Sequence, residues 1–254
     1  MTIEVPRAAL LPSLRALWRE AFGDSDAFLD LFFDVAYAPS RARCIVEDGE
    51  ALAALYWFDV SLDGKNLAYL YAIATRADRR GEGLCRRLME DVHARLARQG
   101  YAGALLVPSE PSLFDFYANF GYEPCAPMQT ILCRAEGEPI VLRRVDADEY
   151  GRLRARLLPL GGVVQEGESL RLLARQESLF AGDGFVLAAH SANDRLVATE
   201  LLGDTSLAPQ ILATLQLPEG RFRIAGNDRP FAMLRKLSAK KDFPPPSYFA
   251  LAFD

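Results

Sequence analysis

Six consecutive residues, Arg80-Gly81-Glu82-Gly83-Leu84-Cys85, join a strand-like run to a helix-like one. Glycine reaches positive φ without steric cost, so the backbone there can turn sharply and come close to a ligand. A helix beginning just after it presents amides that lack intrahelical partners, and these attract an anion such as a diphosphate. Two other phosphate loops do not fit. The P-loop needs Gly-Lys followed by Ser or Thr, whereas Gly64-Lys65 is followed by Asn66. The dinucleotide fingerprint needs a third glycine where Arg86 stands, and the antiparallel meander expected upstream argues against a Rossmann unit. Between Arg76 and Arg98, seven arginines face four acidic residues, a local positive excess in a chain of net charge −5.

The elements that must position this loop follow from hydrophobic spacing. Pro12 opens a helix with Leu14, Leu17, Trp18, Ala21 and Phe22 on one face, and Gly23 stops it. A second helix starts from an Asp24 or Ser25 cap, with Phe28, Leu31, Phe32 and Val35 on one side and Asp26, Asp30 and Asp34 on the solvated side. Strands at 43–47, 51–60 and 67–75 are separated by Asp48-Gly49 and Asp63-Gly64, which are hairpin signals. A helix over 82–99 carries Leu84, Leu88, Val92 and Leu96 at intervals of four, beside His93. A strand at 104–107, a short helix at 111–119 and strand-prone residues up to Cys133 complete this half.

The polar stretch 134–139 marks a boundary between a domain of residues 1–135 and one of 136–254. Beyond it the order of elements partly repeats. Strands are expected at 140–144, 185–189, 196–202, 221–224 and 248–253, and helices at 146–158, 169–179, 207–215 and 230–237. The repetition is one of element order, not of residues.

The loop resembles the pyrophosphate loop of the GNAT superfamily of N-acetyltransferases: Arg or Gln, two residues, Gly, one residue, then Gly or Ala. Here Cys85 stands at the last position. A second motif is in register one helix and one strand later. The family's aromatic-Tyr pair, followed by Gly and an aromatic residue, matches Phe116-Tyr117-Ala118-Asn119-Phe120-Gly121-Tyr122. Where the family often has Asn, seven residues before the Tyr, this chain has Glu110.

The resemblance implies an α+β chain with the GNAT fold, a mixed, largely antiparallel sheet flanked by helices, in two such domains. It implies acetyl-CoA as cosubstrate, no metal, and transfer of acetyl to a primary amine by direct attack. By position, the pantetheine arm would pair with Ile73, Ala74 and Thr75, and the diphosphate would sit on the amides of Arg80, Gly81, Glu82, Gly83, Leu84 and Cys85. Tyr117 would protonate the departing sulfur, as a phenol of pKa ~10 is protonated at neutral pH. The base stays open among Glu110, Asp59 and a water chain, because the strand 67–75 has no carboxylate. Enzymes of the enhanced-intracellular-survival type use their C-terminal carboxylate, which would be that of Asp254. In the second half, Gly203-Asp204-Thr205-Ser206-Leu207 is a poor diphosphate cradle, so that half reads as a degenerate copy that supports the fold or shapes the acceptor groove. A non-catalytic acyl-CoA-binding or regulatory module is the alternative.

Composition narrows the rest. The chain has 254 residues, half of them hydrophobic and a quarter charged, which is the make-up of a globular protein with a sizeable core. Its acidic balance argues against nucleic acid as a partner, and its apolar runs are too short to span a bilayer. Cys44, Cys85, Cys125 and Cys133 lack metal-site spacing, so reduced thiols are expected. The N-terminus lacks signal-peptide character, which makes the cytoplasm the expected address. The expected partner is a small-molecule or peptide amine.

Overall fold

A computed structural model describes residues 1–237 and 243–253. The first half runs β1 (Thr2–Glu4), α1 (Leu11–Phe22), α2 (Asp26–Val35), β2 (Ala42–Glu47), β3 (Glu50–Leu62), β4 (Lys65–Thr75), α3 (Leu84–Arg98), β5 (Gly103–Leu106), α4 (Ser112–Ala118) and β6 (Glu123–Arg134). The second half adds β7 (Arg143–Arg144), α5 (Ala147–Leu157), β8 (Val164–Gln165), α6 (Glu168–Gln176), β9 (Ser178–Gly182), β10 (Phe185–Ala192), β11 (Arg195–Gly203), α7 (Ala208–Leu215), β12 (Glu219–Ala225) and β13 (Arg229–Lys236).

Local chemistry explains the first elements. Gly23 ends α1 at φ 74°, its N–H donating to the Arg19 carbonyl, and the Ser25 hydroxyl caps α2 by accepting from the Phe28 amide. In α3 the stripe of four holds: Leu88, Val92 and Leu96 are fully buried, each contributing ~1.5–3 kcal/mol of apolar burial.

The thirteen strands join in one sheet, ordered β1-β2-β3-β4-β5-β13-β6-β12-β11-β10-β9-β7, with β8 on β3. The meander β2-β3-β4 is antiparallel, and α3 then returns the chain to β5, which lies parallel to β4. Likewise β9-β10-β11 is antiparallel, and α7 returns the chain to β12, parallel to β11. Between the two runs the strands are exchanged. β13, from the end of the chain, sits between β5 and β6, while β6, from the first half, lies next to β12. Met233 of β13 thereby completes the apolar core beneath α3.

The second half departs from the sequence reading in four places. The helix expected at 230–237 is instead strand β13, Arg229–Lys236. Phe231, Ala232, Met233 and Leu234 are all buried, and a short run apolar on both faces has no period that separates strand from helix. The helix expected at 169–179 ends at Gln176, and β9 follows, pairing with β10. Only Arg143 and Arg144 of 140–144 are strand. Finally, 248–253 forms no ladder, and only Tyr248 bridges Gly162. This segment is nonetheless buried from Tyr248 to Ala252, because side chains answer its carbonyls: Gln165 donates to Leu251 O at 2.9 Å and Arg223 to Ala250 O at 3.1 Å.

Candidate active site

The site begins with a defect in β4. Ala54 pairs with Ala74 and Tyr56 with Tyr71, so one extra residue is accommodated between them, and Ala72 takes φ 49°. This is a β-bulge, which bends the strand. The parallel pairing of β4 with β5 extends only from Leu67–Gly103 to Tyr69–Leu105. Beyond Tyr69 the two strands have no ladder between them, so the amides and carbonyls on that side of β4 face a gap.

A cleft of about 910 Å³ opens there. One wall carries Leu70, Tyr71, Ala72 and Ile73 of β4, with Leu106, Ser109 and Tyr117 opposite. Trp18 and Phe28 extend it as an aromatic surface, and Trp18 Nε1 donates to Asp24 Oδ2 at 2.8 Å. Phe253 closes another side, stacked at 15° to the ring of Tyr69 with its N–H donating to Tyr69 Oη at 3.4 Å. Asp254 lies outside the described residues.

Of the residues singled out in the sequence, Ile73 and Tyr117 meet on this cleft. Tyr117, on α4, is 8% exposed. Burial first, and then the neighbouring Cys85, raises its pKa above the ordinary phenol value, so the hydroxyl keeps its proton. Ala74 turns to the opposite face of β4 and is buried among α1 and β3 side chains. Thr75 leads out of the strand, its carbonyl accepting from Arg80 Nε at 3.3 Å.

The loop itself lies beyond the cleft walls. Gly81 and Gly83 take φ 84° and 75°, and nothing lies within 4 Å of where a Cβ would stand on either. Gly83 is the N-cap of α3 and supplies no side-chain acceptor. Leu84 anchors the helix start in the core, and burial pushes the Cys85 thiol up to about 11. Much of the arginine excess is spent within the fold. Arg76 pairs with Asp78, Arg79 with Glu47 at 2.7 Å and with Glu82 at 2.9 Å, and Arg86 stacks 4.8 Å over the ring of Phe120. His93, beside the α3 stripe, is buried and bonded to Tyr122 Oη at 2.7 Å.

Neither carboxylate considered as a base reaches the cleft walls. Asp59 is held by Arg41 at 3.3 Å and by the Tyr101 hydroxyl at 2.5 Å, and Glu110 lies just past Ser109. The cleft instead has Asp24 and, from the second half, Glu177. Glu177 accepts from the Thr199 hydroxyl and lies 3.5 Å from His190 Nδ1, while its Oε2 is buried with no partner among the described residues. Desolvation raises its pKa against the opposing pull of Thr199, His190 and Arg223. Arg221, Arg223 and Arg229 complete this far wall. No sequence motif announces these groups, since four separate strands and a helix end bring them together.

Residues 4–125 match the profile of the acetyltransferase (GNAT) domain. The chain carries a GNAT domain. No curated protein matches the sequence. Among solved structures, 93% of the chain aligns with a GCN5-related N-acetyltransferase from Kribbella flavida at 17% identity, covering 72% of that protein with a TM-score of 0.71. It aligns over the same share with a GCN5-related N-acetyltransferase from Anabaena variabilis at 14% identity, 73% coverage and a TM-score of 0.73. Eis1 from Mycobacterium abscessus gives 14% identity, 93% of this chain, 74% of its own and a TM-score of 0.67. These likenesses concern the fold, and they extend past the GNAT domain into the second half. Among the described residues no group of three His, Cys, Asp or Glu side chains could hold a metal ion, and no helix is long and apolar enough to cross a membrane.

Proposed function

We propose that the chain is a cytoplasmic N-acetyltransferase that moves acetyl from acetyl-CoA to a primary amine by direct attack. The observation that carries this reading is the meeting of Tyr117 with the unladdered edge of β4 on one cleft within a GNAT domain. The residues present fit a coenzyme A thioester. Gly81 and Gly83 leave open space above the backbone, the start of α3 has no side-chain cap, and the β4 edge lacks a strand partner. Bound there, such a thioester would supply an activated carbonyl and a thiolate leaving group.

The chain's own groups divide the remaining work. Amides of Arg80 to Cys85 hold diphosphate oxygens at the positive end of α3. Backbone groups at Ile73 to Thr75 align the acyl arm, and amides on that edge stabilise the carbonyl oxygen as it becomes negative. Tyr117 holds the proton for sulfur, and burial keeps it protonated across neutral pH. The amine must arrive neutral, and Asp24 and Glu177 are the carboxylates bordering its path. Residues 136–254 act as a degenerate second GNAT-like unit that shapes the acceptor side.

The test is thiol release from acetyl-CoA across a panel of amines, with wild type and Tyr117→Phe. Amine-dependent release that falls in the variant supports the reading. Tight acetyl-CoA binding without release for any amine would support a binding or regulatory module instead.

A further inference from the structure

From the far wall of the cleft we infer an anion subsite: the acceptor is an amine that also bears a carboxylate or phosphate group. This rests on the proposal that the cleft receives an amine. The wall is one face of β12 and its neighbours. Phe222 and Ile224 turn into the apolar core, so Arg221 and Arg223, which alternate with them, turn to the cleft. Arg223 is fixed in place, its Nη1 donating to Ala250 O at 3.1 Å and its guanidinium lying 4.5 Å over the Phe231 ring. Arg221 stands beside Val197 of β11, and Arg229 enters from the start of β13.

Two of the three guanidiniums on this wall, Arg221 and Arg229, line the cleft from β12 and β13. Among the described residues no carboxylate pairs with Arg221 or Arg229. Of the two acidic side chains of the cleft, Asp24 accepts from the Trp18 indole, and Glu177 accepts from Thr199 and lies beside His190. In a chain of net charge −5, two guanidiniums without a carboxylate that share one cleft select for a negative ligand group. They also disfavour polycationic amines. Glu177, its side chain 9% exposed and its Oε2 without a partner, adds a place for a ligand N–H or O–H beside that anion. Trp18 and Phe28 across the cleft offer an apolar surface for the acceptor's body.

Calorimetric titration of the whole chain with matched pairs tests this without requiring turnover. Phenylalanine against phenethylamine isolates a carboxylate, and O-phosphoethanolamine against ethanolamine isolates a phosphate. In at least one pair the anionic member should bind at least tenfold tighter. That preference should shrink with added salt, vanish in Arg221→Gln/Arg229→Gln and return in Arg221→Lys/Arg229→Lys. The arm showing it names the anion. Equal binding within both pairs, or a preference that survives in the double Gln variant, overturns the inference. Thiol release from acetyl-CoA, read separately, tells its failure from that of the transferase reading: anion preference without release for any amine sinks only the latter.

Discussion

Tyr248 donates its hydroxyl hydrogen to Glu200 Oε1 across 2.9 Å, at the centre of a cluster with no exposed member. Tyr150 donates to the other oxygen at 2.7 Å, and Arg154 Nε reaches both at 2.8 and 3.0 Å. Arg154 Nη1 also donates to Val163 O, at 3.0 Å. The cluster ties the irregular C-terminal segment to β11 and α5, and that segment ends with Phe253 on the cleft. Removing the carboxylate leaves a buried guanidinium without its partner. Glu200→Gln should therefore lower unfolding free energy by ~3–5 kcal/mol, and Tyr248→Phe by only ~1–2 kcal/mol, in urea titrations. A smaller loss for Glu200→Gln than for Tyr248→Phe would show that the ion pair is not what holds the segment.

Tyr117→Phe keeps the ring and its packing and removes the proton. With a good acceptor, kcat should fall on the order of 10²-fold or more, with acetyl-CoA affinity within a few-fold of wild type. Because burial raises the Tyr117 pKa, the wild-type rate should show no alkaline loss from this phenol up to pH 10. An unchanged kcat would remove Tyr117 from the mechanism.

How much of this could be read beforehand follows the range of the interactions. The strand, loop and helix from β4 through α3 depend on neighbours in sequence, and both motifs there were legible. β13 was not, because its strand state is imposed by pairing with β5 and β6, which lie more than a hundred residues earlier. The far wall, with Glu177, His190 and Arg221, was invisible for the same reason: these residues share a surface only once β9 to β12 are in register. Asp59 and Glu110 drew attention as carboxylates near the motifs, yet Asp59 is absorbed by Arg41 and Tyr101.

Gly83→Ala should weaken acetyl-CoA binding more than it destabilises the fold. The space around its Cα is open, so the cost is the left-handed backbone, ~1–2 kcal/mol for an L side chain. Relaxing that strain displaces the amides that start α3. A tenfold or greater loss in acetyl-CoA affinity, with a thermal midpoint lowered by a few degrees, is the expected pair of results.

His93 gives a pH signature. Burial, reinforced by Arg235, pushes it down to about 3 from an ordinary 6.5. Between those values the unfolded chain binds a proton that the folded chain does not. Stability is thus fully present above pH 6.5 and declines as pH falls toward 3, by up to ~1.4 kcal/mol per pH unit. His93→Gln should flatten that part of the stability profile in acid unfolding experiments.

Residues 1–135 alone should not fold cooperatively. Without β13 the facing edges of β5 and β6 are bare and Met233 is missing from the core under α3. A dispersed amide spectrum from that fragment would contradict this.

The exchange of β6 and β13 also sets an order for biosynthesis. During translation the nascent GNAT domain emerges with a slot between two strands, and its filler is encoded some hundred codons later. That slot stays open while the intervening hundred or so residues are made, so the first half is exposed to chaperones and proteases throughout that interval. Force-sensing arrest sequences placed along the reading frame should register folding tension only once β13 has cleared the exit tunnel.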